Sequence, residues 1–109
     1  MTNETCNDYT NWDTWEFKLL LDNDEDAYHH VLAWAKKNFA RKQRKGHYDT
    51  ALAAKAVRLY LSPIVRKLER EYHTEPSNLI NMKAVNFMEI ADEIRDEGIE
   101  DLEYAERSA

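Results

Sequence analysis

Glycine and proline are nearly missing from this chain, which has two of each in 109 residues. A fold of many short strands needs more of them at its tight turns, so their scarcity argues against a sandwich or barrel. Cysteine is scarcer still. Cys6 stands alone and cannot close an intrachain disulfide, and no basic group beside it lowers its pKa, so an ordinary thiol is expected. No apolar run approaches the ~20 residues that span a bilayer. The first residues have neither the basic nor the apolar part of a signal peptide, so no membrane association is expected.

Recognised chemistry is equally sparse. There is no glycine-rich phosphate loop and no serine or cysteine nucleophile in a base motif. Asp22, Asp24 and Asp26 alternate like the first ligands of a calcium loop, but its sixth and twelfth positions hold Ala27 and Ala33. No two histidines are spaced i, i+4, as a helical zinc site requires. Arg41 with His47, and Arg66 with His73, fit a loose spacing found in small all-helical ribonucleases of the HEPN type. Gly46 is expected to end the helix before His47, which takes the first pair out of a shared frame. No enzyme, metal or cofactor is expected.

Alanine, leucine, glutamate, lysine and arginine are abundant instead, and these lose little on entering a helix. With 43% hydrophobic residues, the length suits one modest core. The expectation is an all-α, compact single-domain bundle of five to six helices over residues 11–109, after a flexible arm at 1–10.

Asn11 to Tyr28 is the densest stretch, with Trp12, Trp15, Phe17 and three leucines followed by an acid cluster. Asp13 and Glu16 have capping-box spacing, which predicts a buried helix from Thr14 to Leu21 with Trp12 stapled onto Phe17. Asn23 is the expected cap of a second helix, with Asp24, Glu25 and Asp26 favoured at its positive end. Tyr28, Val31, Leu32, Ala35 and Phe39 form its inward stripe, and Gly46 its stop. A third helix begins at Asp49 or Thr50, with Leu52, Ala53, Ala56, Val57, Tyr60 and Leu61 inward. Ser62-Pro63 either restarts the chain as a fourth helix, with Ile64, Val65, Leu68 and Tyr72 inward, or kinks one continuous helix. His73 to Asn78 is the clearest loop. A last helix carries Phe87, Ile90, Ala91 and Ile94 inward, stops at Gly98, and leaves Ile99, Leu102 and Tyr104 for a further turn or a tail.

Charge is segregated along the chain. Residues 1–26 sum to -7, residues 27–88 to +8 and residues 89–109 to -7. Two readings follow: the halves neutralise one another within the fold, or they make two faces of opposite sign. The basic candidate surface is Lys36, Lys37, Arg41, Lys42, Arg44 and Lys45, a cluster of the kind that binds phosphate backbones. The acidic candidate is Glu89, Asp92, Glu93, Asp96, Glu97, Glu100 and Asp101. Several of these acids lie i, i+4 apart, where like charges cost a few tenths of a kcal/mol. Helix stability alone does not select that pattern, whereas a row of carboxylates can imitate phosphates in a cationic groove.

Trp12, Thr14 and Trp15 fit W-x-T-W; Asn23, Asp24, Glu25 and Tyr28 fit N-D-E-x-x-Y; Val85, Phe87, Glu89, Ile90 and Ala91 fit V-x-W/F-x-E-I-A. In these segments the chain resembles a family of small, uncharacterised proteins encoded by phages and plasmids. The resemblance implies a protein of a mobile element in the cytoplasm of a prokaryotic host, of the anti-CRISPR or other anti-defence kind. It supplies no catalytic residues. Its expected role is inhibition of a host defence complex, a CRISPR effector or restriction enzyme, by protein binding through an acidic nucleic-acid-mimicking surface. The alternative is an accessory protein that binds nucleic acid directly through residues 36–45. The motif aromatics Trp12, Trp15, Tyr28 and Phe87 are expected to meet Ile90 in the core.

Overall fold

The computed structural model describes residues 9–72 and 79–108. Among them the fold is all-α, with four helices rather than five or six: α1 (Trp12–Asn23), α2 (residues 25–44), α3 (Thr50–Tyr72) and α4 (Phe87–Ser108). Cys6 and the expected loop from His73 to Asn78 lie outside the described residues. Two positions carry no break, one where continuation was the open alternative and one where a stop was expected, and this accounts for the lower count.

The first is at Ser62-Pro63, where α3 runs through without interruption. Proline removes one helical hydrogen bond, to the carbonyl four residues back. Here both Pro63 and Leu59 are exposed, so water can satisfy that carbonyl. The second is at Gly98, which is buried inside α4 instead of ending it. An added Cβ there would meet Ala40 Cβ and the Lys36 backbone nitrogen, each at 3.3 Å. Gly98 therefore serves close approach of two helices.

The partner at that crossing is unusual. α2 is α-helical over Glu25–Ala35 and Arg41–Arg44, but Lys36–Ala40 between them is a π-helical turn, in which the Arg41 N–H donates to the Lys36 carbonyl. The wider turn sets Phe39 and Ala40 inward together. α2 stops as expected at Gly46, whose φ of 76° needs glycine. The stop is a Schellman motif: the His47 N–H donates to the Lys42 carbonyl (2.8 Å) and the Gly46 N–H to the Gln43 carbonyl (3.0 Å).

Capping falls one or two residues from where spacing puts it. Asn11, rather than Asp13, caps α1 by accepting from the Thr14 N–H at 2.8 Å. Asp13 instead accepts from the Asn81 N–H at 2.9 Å, an acceptor role toward a distant segment. Asp24, rather than Asn23, caps α2. Asp49 caps α3 through the N–H groups of Ala51 and Leu52, and Asn86 caps α4 through Glu89.

The core runs through all four helices, from Phe17 and Leu21 through Val31, Ala35 and Phe39 to Val57, Leu61, Val65, Ile90 and Ile94. Each fully buried side chain of this size contributes ~1.5–3 kcal/mol. Several expected core residues face water instead: Trp12, Tyr28, Leu52, Tyr60 and Tyr72 are exposed. In α3 the residues 53, 57, 61, 65 and 68 fill the inner face, which turns Leu52 and Tyr60 outward. Trp12 precedes the first full turn and packs on Trp15 at 6.2 Å, not on Phe17. Phe17 has Phe87 edge-on at 5.5 Å instead.

Candidate functional site

The two motif segments at opposite ends of the chain are bonded to one another. Thr14 is fully buried, and its Oγ1 accepts from the Asn86 N–H at 2.9 Å. Asn11 donates to the Ala84 carbonyl at 2.8 Å. Tyr9 donates to the Glu93 carboxylate, 2.6 Å to Oε2. Desolvation and that carboxylate raise the Tyr9 pKa, so the phenol stays protonated. Thr14 and Asn86 thus hold α1 against the start of α4.

Beside this junction lies a buried cation. The Lys18 ammonium is 2.8 Å from Asp22 and 2.8 Å from Glu97, with Glu93 at 3.8 Å. Burial alone would lower its pKa, but the hydrogen bonds to Asp22 and Glu97 outweigh it and leave the pKa raised. One lysine does not balance three carboxylates. Desolvation raises the Glu97 pKa, Lys18 opposes the shift, and Asp22 and Glu93 add to it. The carboxylate side chains remain 36–39% exposed, so a surplus of negative charge is held in fixed positions at the surface.

The rest of the acidic candidate surface is largely bonded within the fold. Asp92 accepts from the Tyr48 and Thr50 hydroxyls at 3.0 and 3.1 Å. Burial first, and then that carboxylate, raises the Tyr48 pKa. Glu89 accepts from the Thr10 N–H, Asp96 pairs with Arg95 and Asp101 with Lys36 at 2.6 Å. Of the seven acids, Glu100 alone has no bond to a described residue. Beside Glu100 and Glu103 a groove opens between α2 and α4, lined by Tyr28, Leu32, Glu97, Asp101 and Tyr104. Tyr28, expected in the core, is exposed there together with Tyr104.

The basic candidate surface divides differently. Lys36 is taken up by Asp101 and Arg44 by Glu106, whereas Lys37, Arg41, Lys42 and Lys45 form no ion pair among the described residues. On α3, Lys55, Arg58 and Lys67 also form none, but they lie apart from this cluster, Arg58 beside Met82 and Phe87 and Lys67 beside Asp24 and Asp26. Between Tyr28 and Leu68 the sole acid is Asp49, and its carboxylate is engaged as the α3 cap.

A pocket lies between α2 and α3 on this cationic side, and sequence reasoning missed it. Its wall is a run of rings: Tyr60 to Trp34 (6.1 Å), Trp34 to Phe39 (4.9 Å), Phe39 to Tyr48 (5.8 Å), with Lys42 and His47 at its rim. The far ring, Tyr48, carries the Arg95 guanidinium over its face at 4.9 Å. The available signal was a second stripe on α3 at i, i+4 and i+8, Leu52, Ala56 and Tyr60, set off the inner face.

No family model matches the chain, and no curated protein or solved structure matches it. Among the described residues no group of three or more histidine, cysteine, aspartate or glutamate side chains is arranged to hold a metal ion. No helix there is long and apolar enough to cross a membrane.

Proposed function

We propose that this is a non-catalytic binding protein of a mobile element that inhibits a host defence complex, a CRISPR effector or restriction enzyme, by docking an acidic face in a cationic groove. The observation that carries the reading is the carboxylate surplus around Lys18, continued by Glu100 and Glu103 along the α2–α4 groove. Carboxylates already held in place lose little side-chain freedom on binding, which favours affinity. Tyr28 and Tyr104 stand beside them, and tyrosine is enriched among residues that dominate binding energy. The acidic surface is thereby narrowed. Asp92, Glu93 and Asp101 are occupied with Tyr48, Thr50, Tyr9 and Lys36, so the docking residues are Glu100 and Glu103, with Glu97 from the surplus around Lys18.

The test uses side chains without an internal bond. The combined variant Glu100→Gln, Glu103→Gln, Tyr104→Ala is expected to keep its helical circular dichroism and melting behaviour. In a host whose defence restricts phage growth, the wild type is expected to relieve restriction and the variant to fail. Relief by the folded variant equal to wild type would reject the groove, and no relief by the wild type in CRISPR and restriction hosts would reject the function.

The unpaired cations favour a second reading, an accessory protein that binds nucleic acid through residues 36–45 of α2. A polyanion neutralised by several lysines and arginines is released by salt. A mobility shift at low salt that disappears on neutralising Lys37, Arg41, Lys42 and Lys45 is the expected result, and no shift at low salt removes this reading.

A further inference from the structure

We propose that the aromatic pocket between α2 and α3 receives a base of single-stranded nucleic acid, whose backbone runs over the unpaired cations of α2 beside Lys42. This rests on the cationic reading of that face and adds a site, a strand type and a contact mode to it.

The pocket volume is about 150 Å³, and an apolar cavity of about that size accepts a single benzene ring. Its outer wall offers an open aromatic face. Trp34 and Tyr60 are tilted 64° to one another, and Tyr60 is 59% exposed, so one ring face is open to a stacking partner. Asn38, also in the wall, donates its amide N–H to the Trp34 carbonyl at 2.9 Å. That bond leaves Oδ1 as an acceptor for a base N–H.

The rim supplies the complementary charge. Lys42 and His47 line it, both exposed, and the Schellman turn fixes their backbones to one another. Arg41 and Lys45 flank Lys42 in sequence with no ion pair among the described residues. Asp49, the one acid of the lining, is engaged as the α3 cap. Cations beside an open aromatic face are how single strands are held without sequence readout. A duplex keeps its base faces stacked inside and cannot use the pocket.

The test is fluorescence anisotropy with a short labelled oligothymidylate at low salt, comparing wild type, Tyr60→Ala and Lys42→Ala. Both side chains are exposed, and their replacement leaves the core intact. Tyr60→Ala is expected to weaken binding about tenfold, the effect of losing one stacked base, with the salt dependence unchanged. Lys42→Ala is expected to lower the salt slope by about 0.7, one phosphate contact on a single strand. The Trp34 indole N–H resonance is expected to move on titration. No oligonucleotide binding at low salt overturns both this proposal and the cationic reading. Binding unaffected by Tyr60→Ala, a still Trp34 resonance, or equal affinity for a duplex overturns the pocket and leaves the cationic face. Thymidine monophosphate bound as tightly as the oligonucleotide overturns the strand.

Discussion

α3 and α4 are almost equal in length, 23 and 22 residues, and opposite in charge. From Thr50 to Leu68 α3 has four bases and no acid, while from Glu89 to Glu103 α4 has eight acids and one base. The fold treats the two runs differently. The acids of α4 are met by Lys18, Lys36, Arg44, Tyr9 and Tyr48 from four other parts of the chain. Most α3 cations meet nothing among the described residues. A charge run is therefore a surface only where no neighbour reaches it, and that depends on which helices pack beside it.

The sharpest way to break this comparison is to remove the cation at the centre of the α4 side. Lys18→Met is expected to cost ~2–3 kcal/mol in urea unfolding, because it leaves Asp22, Glu93 and Glu97 facing one another without their counter-charge, eased by the water that reaches all three carboxylates. Lys55→Met on α3 is expected to leave the unfolding midpoint unchanged. Equal effects at the two sites would mean that pairing does not distinguish the two helices.

Next is the buried acid of α3. Glu69 is fully buried and accepts from the Ile80 N–H and from Arg66, each at 2.7 Å. It fastens the segment before α4 onto α3. Glu69→Ala orphans a buried N–H and is expected to cost ~1–3 kcal/mol, seen as faster hydrogen exchange at Ile80. Unchanged exchange there would show that Glu69 is not the fastening.

The helix crossing comes third. Alanine favours a helix over glycine by about 1 kcal/mol, so an isolated α4 would gain from Gly98→Ala. In the fold the new methyl meets backbone atoms of α2, which cannot rotate away, and overpacking is expected to cost ~1–3 kcal/mol. Thermal melts decide between the two, and a stabilised Gly98→Ala would mean the π-turn yields freely.

The smallest effect is a titration. The Glu97 pKa is raised above the ordinary 4.5 by burial, so its contribution to stability is fully present below 4.5 and is lost as pH rises through the folded value. For Glu106, lowered by its bond to Arg44, the contribution is present above 4.5 and lost as pH falls through the folded value. Carboxyl-carbon NMR is expected to find Glu97 titrating at higher pH than Glu106. The reverse order would contradict the carboxylate surplus around Lys18.

Much of the fold was legible locally. The apolar spacing of Val31, Ala35 and Phe39 and the stop at Gly46 depend on one helix and its cap, and both stand. Gly98 misled because the same residue serves a helix end or a helix crossing, and only the position of α2 tells which. Asp13 has ideal capping spacing yet bonds to Asn81, since Asn11 is closer to the geometry the first turn requires. Trp34 was missed for the opposite reason: one ring on one helix carries no site until Tyr48 and Tyr60 arrive from elsewhere.

Composition and periodicity alone determined an all-α chain with its charge segregated, because helix propensity and the 3.6-residue stripe act within a few turns. The tertiary structure decided how many helices there are and which charges are left over. α3 runs on through Pro63 because that site faces water, and α4 through Gly98 because α2 packs against it. The pairs of Lys18 with Glu97, Lys36 with Asp101 and Arg44 with Glu106 exist only because distant segments come within about 4 Å. The carboxylate surplus at Lys18 and the ring-lined pocket beside Lys42 are both of that second kind, properties of neighbours in space that no single stretch of the sequence contains.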